Sequence, residues 1–178
     1  MKGPAPGPAQ GSLDPQLAAV KAKLRAAAVA RHIPPNILYA VAYCESRWQQ
    51  FDADGAPLVS PSGDIGIMQV HPNSHFDVAR LKSDIDYNIA AGADILCRKF
   101  RATPKIGNGS SLTDENWFYA VWAYNGWRAN NAYPYMVWRA IADGPDGLWT
   151  GVNVTPVPKT WLVDGLGVTV PTPRPASL

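Results

Sequence analysis

Apolar residues recur three and four positions apart along much of this chain, and that spacing constrains the fold more than any other feature. Because an α-helix has about 3.6 residues per turn, the spacing places these side chains on one face of a helix. Helices are predicted over residues 15–32, 33–48, 86–100, 113–127 and 134–144. Thr113 or Asp114 is expected to cap the fourth of them, and Gly126 is placed to end it. The sequence therefore predicts a mainly α protein.

The segments outside these helices differ in composition. Residues 1–15 are rich in proline and glycine and are expected to form a flexible arm, whereas residues 151–178 are expected to form an extended, proline-rich tail. Residues 51–75 contain glycine and proline without periodicity, so they predict a long loop, and loops of that length are usually functional. One folded domain is expected over residues 16–150, because 178 residues suit a single domain.

Charge and hydropathy exclude several classes of protein. The formal net charge of +2 is too small to indicate nucleic-acid binding, although it is compatible with a polyanionic polymer such as cell wall. No apolar run approaches the roughly 20 residues of a transmembrane helix, and the N-terminus has no apolar signal core. No cofactor is predicted, and a monomer is the expected state.

The two cysteines and one acidic turn are candidates for structural or metal sites. Cys44 and Cys97 lack metal-ligand spacing, so either a disulfide or two buried thiols is expected, and the sequence does not choose between them. The stretch DADG, residues 52–55, faintly resembles a calcium loop but lacks the remaining ligands at loop spacing. A solvated acidic turn is predicted there, and no metal site is predicted.

The segment VAYCESRWQQ, residues 41–50, places a glutamate inside an apolar helical run. Val41 and Glu45 are four positions apart and share a helix face, and Ile37 lies one turn further back. The Glu45 carboxyl is therefore expected to face apolar neighbours, where desolvation disfavours the charged form and raises the pKa. A carboxylic acid that keeps its proton near neutral pH can act as a general acid. A partly exposed glutamate with a packed stem is the alternative.

Two further segments carry polar side chains next to apolar ones. In SPSGDIGIMQVHP, residues 60–72, the glycines permit a tight turn close to a ligand, Met68 offers an adaptable apolar surface, and Gln69 can both donate and accept hydrogen bonds to a sugar. In AVWAYNGW, residues 120–127, Tyr124 and Asn125 lie at a helix end. Taken separately, each segment is also typical of an ordinary glycine-rich turn or of a buried tyrosine before a helix stop.

Taken in order, these segments closely resemble the soluble lytic transglycosylase family. The resemblance spans residues 35–140 and consists of ES in a helix, then S…G..G.MQ, then D..YNIAAG, then AYN. It implies a single mainly α, lysozyme-like domain with a long active-site loop, and a helix containing YNIAAG that packs behind the site.

The resemblance also implies roles for individual residues. Glu45 matches the single catalytic acid of the family, and Ser60 matches a serine that supports the N-acetyl group of the substrate. Tyr124 matches a tyrosine near the catalytic acid, and Tyr135 a later tyrosine of the cleft. The residues predicted to bind substrate are Ser60, Gly66, Met68, Gln69, His71, Tyr124, Asn125 and Tyr135.

The reaction implied by the resemblance is nonhydrolytic cleavage of the β-1,4 bond between N-acetylmuramic acid and N-acetylglucosamine in peptidoglycan. Glu45 would protonate the glycosidic oxygen and then, as a base, take the proton of the muramic 6-hydroxyl, which closes a 1,6-anhydro ring. The implied partner is the peptidoglycan glycan strand. An extracellular, periplasmic or virion-associated location is expected, and a bacteriolytic phage endolysin is one protein of this kind.

The nearest alternative is a goose-type lysozyme, a muramidase that shares the MQ element but hydrolyses its substrate. That family has acidic residues nine positions before the glutamine and two after it, where this chain has Ser60 and His71. Both differences favour the transglycosylase, although Asp52, Asp54 and Asp64 remain as possible base carboxylates.

An alternative of another class is a noncatalytic glycan-binding or virion structural module built on the same scaffold, because a fold does not by itself imply a function. The presence of Glu45 argues against this alternative, since a binding module does not need the acid.

Overall fold

A computed structural model describes residues 13–106, 108–127 and 131–155 of the chain. The described residues form six α-helices: α1 Pro15–Val29, α2 Pro35–Ser46, α3 Val78–Ser83, α4 Ile85–Ala102, α5 Phe118–Asn125 and α6 Tyr133–Asp143. Short 3-10 helices span Asp114–Trp117 and Pro145–Gly147. Within those ranges the only β pairing consists of isolated bridges. The predicted mainly α, lysozyme-like fold is confirmed.

The predicted helix ends differ from the observed ones where side chains form specific contacts. Thr113 makes no capping hydrogen bond, and the chain first forms a 3-10 turn, so that α5 begins only at Phe118. In that turn the side chains of Asn116 and Trp117 donate to the backbone carbonyls of Ser110 and Ser111, at 2.8 and 2.9 Å. These buried contacts hold the chain in the tighter turn. The sequence also missed α3, which has only six residues.

Glycine ends α5 as predicted, and the outer segments remain untested. Gly126 follows the helix with φ 121°, a backbone conformation that side chains rarely allow. Residues 1–12 of the predicted arm and residues 156–178 of the predicted tail lie outside the described residues. The proposed domain boundaries therefore stay predictions.

The helix α2 lies at the centre of the molecule. It packs against α1 and α6, while α4 packs against α1, α3 and α5. Eight of its twelve residues are buried. The apolar run that surrounds Glu45 in the sequence thus forms a core helix, and its polar residues lie next to buried neighbours.

The predicted loop at residues 51–75 contains no helix and is held to the core by two buried amides. The Asn88 side chain on α4 donates to the carbonyl of Ile65 at 2.8 Å and accepts from the Met68 amide at 3.0 Å. The Gln50 side chain accepts from the Ile67 amide at 3.0 Å. Because these amides satisfy buried backbone groups of the loop, the segment 65–68 has a defined position beside α2 and α4.

The two cysteines are free thiols. Burial, with a smaller contribution from the nearby Glu45 charge, raises the pKa of Cys44 to about 11, and burial also raises the pKa of Cys97. The alternative of two separate thiols is therefore the one the structure shows, and a disulfide does not tie α2 to α4.

No helix among the described residues is long and apolar enough to cross a membrane.

Candidate active site

Glu45 lies in the last turn of α2, immediately before a sharp reversal of the chain. Arg47 and Trp48 both have left-handed backbone conformations, with φ 57° and 64°, which are uncommon for residues other than glycine. The buried Trp48 side chain donates its Nε1–H to the carbonyl of Tyr39 at 2.9 Å and stacks on Trp149, with ring centroids 5.7 Å apart. Surrounding packing thus holds the strained reversal and fixes the end of α2 that carries Glu45.

The Glu45 carboxyl is largely buried and has one defined partner. The Tyr133 hydroxyl, at the start of α6, donates to Glu45 Oε1 at 2.6 Å. Burial raises the pKa of Glu45 to about 7; the hydrogen bond from Tyr133 opposes this rise, and the negative charge of Asp64 adds to it. The raised pKa predicted from the sequence is therefore confirmed, and a large fraction of Glu45 keeps its proton at neutral pH.

Glu45 opens into a cleft with a volume of about 360 Å3. One side of the cleft comes from the loop after α2, and the other comes from α4 and the end of α5. The residues that line it are Glu45, Asp64, Gln69, His71, Asn73, Ile95, Arg98, Lys99, Tyr124 and Asn125. Its walls are mainly polar, which suits a ligand rich in hydroxyl and amide groups.

The glycine-rich loop is folded tightly where it meets Glu45. Gly66 has φ 72°, and an added Cβ would lie 2.5 Å from the Asn88 amide nitrogen, so only glycine fits. Gln69 is left-handed with φ 46°, and its side chain donates to the Gly66 carbonyl at 2.9 Å. This contact turns the Gln69 side chain back over its own loop and places it on the cleft wall.

Two side-chain hydroxyls on α2 and α5 form hydrogen bonds to the backbone of this loop. The Tyr124 hydroxyl donates to the Met68 carbonyl at 2.7 Å, and the Ser46 hydroxyl donates to the Ile67 carbonyl at 2.8 Å. Burial, together with the charges of Glu45 and Asp64, raises the pKa of Tyr124 well above its ordinary value. Tyr124 therefore stays a hydrogen-bond donor that positions the loop next to the acid.

Asp64 is the second carboxyl among the residues that line the cleft. It accepts from the Ser62 hydroxyl at 2.6 Å and lies 2.9 Å from His71 Nδ1, while its backbone amide donates to Ser60 Oγ at 3.0 Å. Burial alone would raise the pKa of Asp64, but these hydrogen bonds outweigh it and the pKa is lowered. Two carboxyl groups with pKa values shifted in opposite directions thus share one cleft: Glu45, which is partly protonated at neutral pH, and Asp64, which is ionised.

The other predicted base carboxylates serve the loop. Asp52 accepts from the backbone amides of Asp54 and Ala56 at 3.0 and 2.9 Å, so it closes a turn in the acidic stretch. Neither Asp52 nor Asp54 lines the cleft.

The structure brings five of the predicted site residues into the cleft: Glu45, Gln69, His71, Tyr124 and Asn125. It places the others around it. Ser60 lies in the turn that holds Asp64, and Gly66 and the buried Met68 lie behind the wall. Tyr135 does not line the cleft; its half-buried ring packs edge-on against Phe118 at a centroid distance of 5.9 Å.

The tyrosine that contacts the acid is Tyr133, which sequence reasoning missed. A signal was present, because Tyr133, Val137 and Ile141 are spaced four apart and mark the buried face of α6. Tyr135 lies on a different face of the same helix. The phase of the helix would therefore have indicated that Tyr133 is buried, and the role of Tyr135 in substrate binding stays a prediction.

Comparison with known families gave one result. Residues 23–133 match the family described as the transglycosylase SLT domain, which covers more than half of the chain. Comparisons with curated proteins and with solved structures gave no significant match.

Proposed function

Since the chain belongs to the transglycosylase SLT domain family, we propose that it cleaves the β-1,4 bond between N-acetylmuramic acid and N-acetylglucosamine in peptidoglycan without adding water. One observation carries this proposal: a buried glutamic acid with a pKa of about 7 opens into a polar cleft. Such a group is a proton donor and, once it has lost the proton, a base at the same pH. Action where peptidoglycan lies, outside the cytoplasmic membrane, is part of the proposal.

In the first step, Glu45 donates its proton to the glycosidic oxygen, and the bond from that oxygen to C1 of the muramic residue breaks. The electron pair of the broken bond stays on the leaving sugar, and the N-acetyl carbonyl oxygen of the substrate stabilises the positive charge at C1. In the second step, the Glu45 carboxylate takes the proton of the 6-hydroxyl while O6 bonds to C1. The acid is regenerated, and no water is consumed.

The neighbours of Glu45 support these steps. Tyr133 donates to one carboxyl oxygen at 2.6 Å, which leaves the other free to face the glycosidic bond. Asp64 supplies a negative charge that favours both the protonated acid and the developing positive charge. Gln69 and Asn125 offer amide groups to the sugars, whereas Gly66, Met68 and Ser60 act by shaping the loop.

The products of digestion test the proposal directly. Soluble products from purified peptidoglycan are expected to carry anhydro ends, each lighter by one water than a reducing end. Mass spectrometry distinguishes the two, and a known muramidase on the same substrate provides the reference for reducing ends. Products with reducing ends alone would contradict the transglycosylase reaction.

Hydrolysis is the second candidate, and Asp64 is the observation that favours it. An ionised carboxylate in the same cleft as a neutral acid is the arrangement of an inverting glycosidase, in which the carboxylate activates a water. If hydrolysis is the reaction, Asp64→Asn should abolish it and the products should have reducing ends. If the transglycosylase reaction holds, Asp64→Asn should keep the anhydro products.

The pH dependence of the reaction separates the roles of Tyr133 and Asp64. Activity is expected to fall as the pH rises through about 7, because Glu45 then loses its proton. Tyr133→Phe removes a hydrogen bond that lowers the pKa of Glu45, so the falling limb of the plot of activity against pH should move to higher pH. The rate of cleavage should also drop about tenfold to a hundredfold, because the carboxyl is less well positioned. Asp64→Asn removes a negative charge that raises the pKa, so the limb should move to lower pH.

Tyr135→Phe is the comparison for this measurement. It deletes the same atom two residues further along α6, where the hydroxyl lies in the core. The limb should stay in place in this variant. If the falling limb moves in Tyr135→Phe and stays in place in Tyr133→Phe, the tyrosine that acts on Glu45 is Tyr135, the residue that the sequence predicted for the cleft.

A further inference from the structure

Residues on two adjacent faces of α4 line the active-site cleft and a second cavity. Ile95, Arg98 and Lys99 face the cleft, with the spacing of neighbours on one side of a helix. The second cavity has a volume of about 400 Å3 and is lined by Arg31, Asp94, Cys97, Arg98 and Arg101. We call it the basic cavity. Arg98 lines both spaces, so the basic cavity borders the cleft at this residue.

The basic cavity has more positive charge than its own acid can neutralise. Asp94 pairs with Arg31, with 2.6 Å between Oδ1 and Nε. Arg98, Lys99 and Arg101 form no ion pair within the described residues. The chain as a whole carries a net charge of only +2, so these three cations on one helix are a local concentration. The positive charge of the basic cavity attracts anions and orients them.

We propose that Arg98 and Arg101 bind carboxylates of the peptide stem carried by the muramic residue. This inference rests on the proposed function and extends it to the substituent next to the cleaved bond. In a strand that occupies the cleft, the stem leaves the sugar as a flexible chain with free carboxylates. Arg101 lies one turn beyond Arg98, about 4.5 Å further along the axis, so the pair can hold carboxylates along an extended stem. Guanidinium groups suit carboxylates because both are planar and bind through two parallel hydrogen bonds.

The test compares two substrates that differ only in charge. Soluble, uncrosslinked strands free of phosphate polymers are used with their stem carboxylates intact, or after chemical conversion of those carboxylates to amides. The ratio of kcat/KM on the charged strand to kcat/KM on the amidated strand is measured. For the unmodified protein this ratio should be about fivefold or more, and in Arg98→Gln/Arg101→Gln it should fall close to one.

A matched control removes the same charge elsewhere. Arg25 on α1 and Lys82 on α3 are exposed and line neither cavity, so Arg25→Gln/Lys82→Gln should keep the ratio of the unmodified protein. A control that loses the ratio equally would show general attraction to an anionic polymer and would overturn the inference. A ratio near one in the unmodified protein would also overturn it.

Two other outcomes have distinct meanings. An unmodified protein that cleaves neither strand contradicts the proposed function itself. If the double variant loses activity only on wall material that bears a phosphate polymer, the cations bind phosphate and the stem is not their ligand.

Discussion

Glu45→Gln is expected to reduce the release of soluble muropeptides from peptidoglycan by about a thousandfold. Glutamine has nearly the same shape and can still accept the hydrogen bond from Tyr133, but it has no proton to donate to the glycosidic oxygen. The measurement is release of soluble fragments from purified peptidoglycan under conditions that are linear for the unmodified protein. Loss of this size is expected because both proposed steps use the same carboxyl group.

Binding of the protein to insoluble peptidoglycan distinguishes a catalytic role of Glu45 from a noncatalytic role of the whole protein. Glu45→Gln should still sediment with insoluble peptidoglycan, since the cleft walls are unchanged. Glu115→Gln, which alters a carboxyl outside the cleft, should retain activity. If muropeptide release persists in Glu45→Gln, Glu45 is not the acid. If the unmodified protein binds peptidoglycan and releases nothing, the noncatalytic module is the better description.

The same substitution is expected to stabilise the folded protein at alkaline pH by about 3 kcal/mol. The pKa of Glu45 is about 7 in the folded state, against an ordinary value of 4.5. A shift of this size corresponds to roughly 3 kcal/mol when the group is ionised in both states. Burying a carboxyl that has to ionise is therefore a stability cost of the active site, and an amide in the same place avoids it.

The sign of the pH dependence follows from proton binding. Below about pH 4.5 the carboxyl is protonated in the folded and the unfolded chain, so Glu45 adds no ionisation penalty. Between 4.5 and 7 the folded state holds the proton more tightly, and stability falls as the pH rises. Above 7 the full penalty applies. The advantage of Glu45→Gln should thus grow from pH 4.5 to pH 7 and then remain constant.

Urea unfolding of both proteins at a series of pH values measures this difference. Asp114, whose pKa is raised to about 6 by burial and by the charge of Glu115, is present in both proteins and cancels in the comparison. Glu115 provides a control of opposite sign: burial raises its pKa, but several hydrogen bonds, among them the one from the Thr155 amide at 2.9 Å, together outweigh this and the pKa is lowered. Glu115→Gln should lose stability at alkaline pH. A pH-independent difference for Glu45→Gln would mean that Glu45 has an ordinary pKa.

Much of the fold could be predicted from local patterns. Periodic apolar residues located both ends of α1, α2, α4 and α6 to within a few residues, because helices of this length carry several repeats of the same signal. The six residues of α3 span less than two turns and give too few repeats. The predicted start of α5 was wrong because side-chain hydrogen bonds from Asn116 and Trp117 to carbonyls six residues earlier hold a 3-10 turn there, and apolar periodicity does not report such contacts.

The features of the site that depend on a single helix could be predicted from the sequence. The position of Glu45 within an apolar run indicated both its burial and the direction of its pKa shift, because both depend on its own helix face. The partner of Glu45 was not predictable in this way. Tyr133 reaches it from α6, 88 positions along the chain, and the choice between Tyr133 and Tyr135 depends on how α6 is rotated against α2.

Sequence by itself thus predicted five of the six α-helices among the described residues, the family, and the position of Glu45 in an apolar helical run, because each is encoded in residues close together or in motifs of defined order. Only the tertiary structure decided what surrounds the acid. It placed the Tyr133 hydroxyl on Glu45 and paired Asp64 with His71 in the same cleft. It also left Ser60 and Met68 out of the cleft lining and put Arg98 and Lys99 of α4 on its wall. The physical reason is that protonation and binding depend on distances and burial between separate elements, which helix packing sets and local sequence does not.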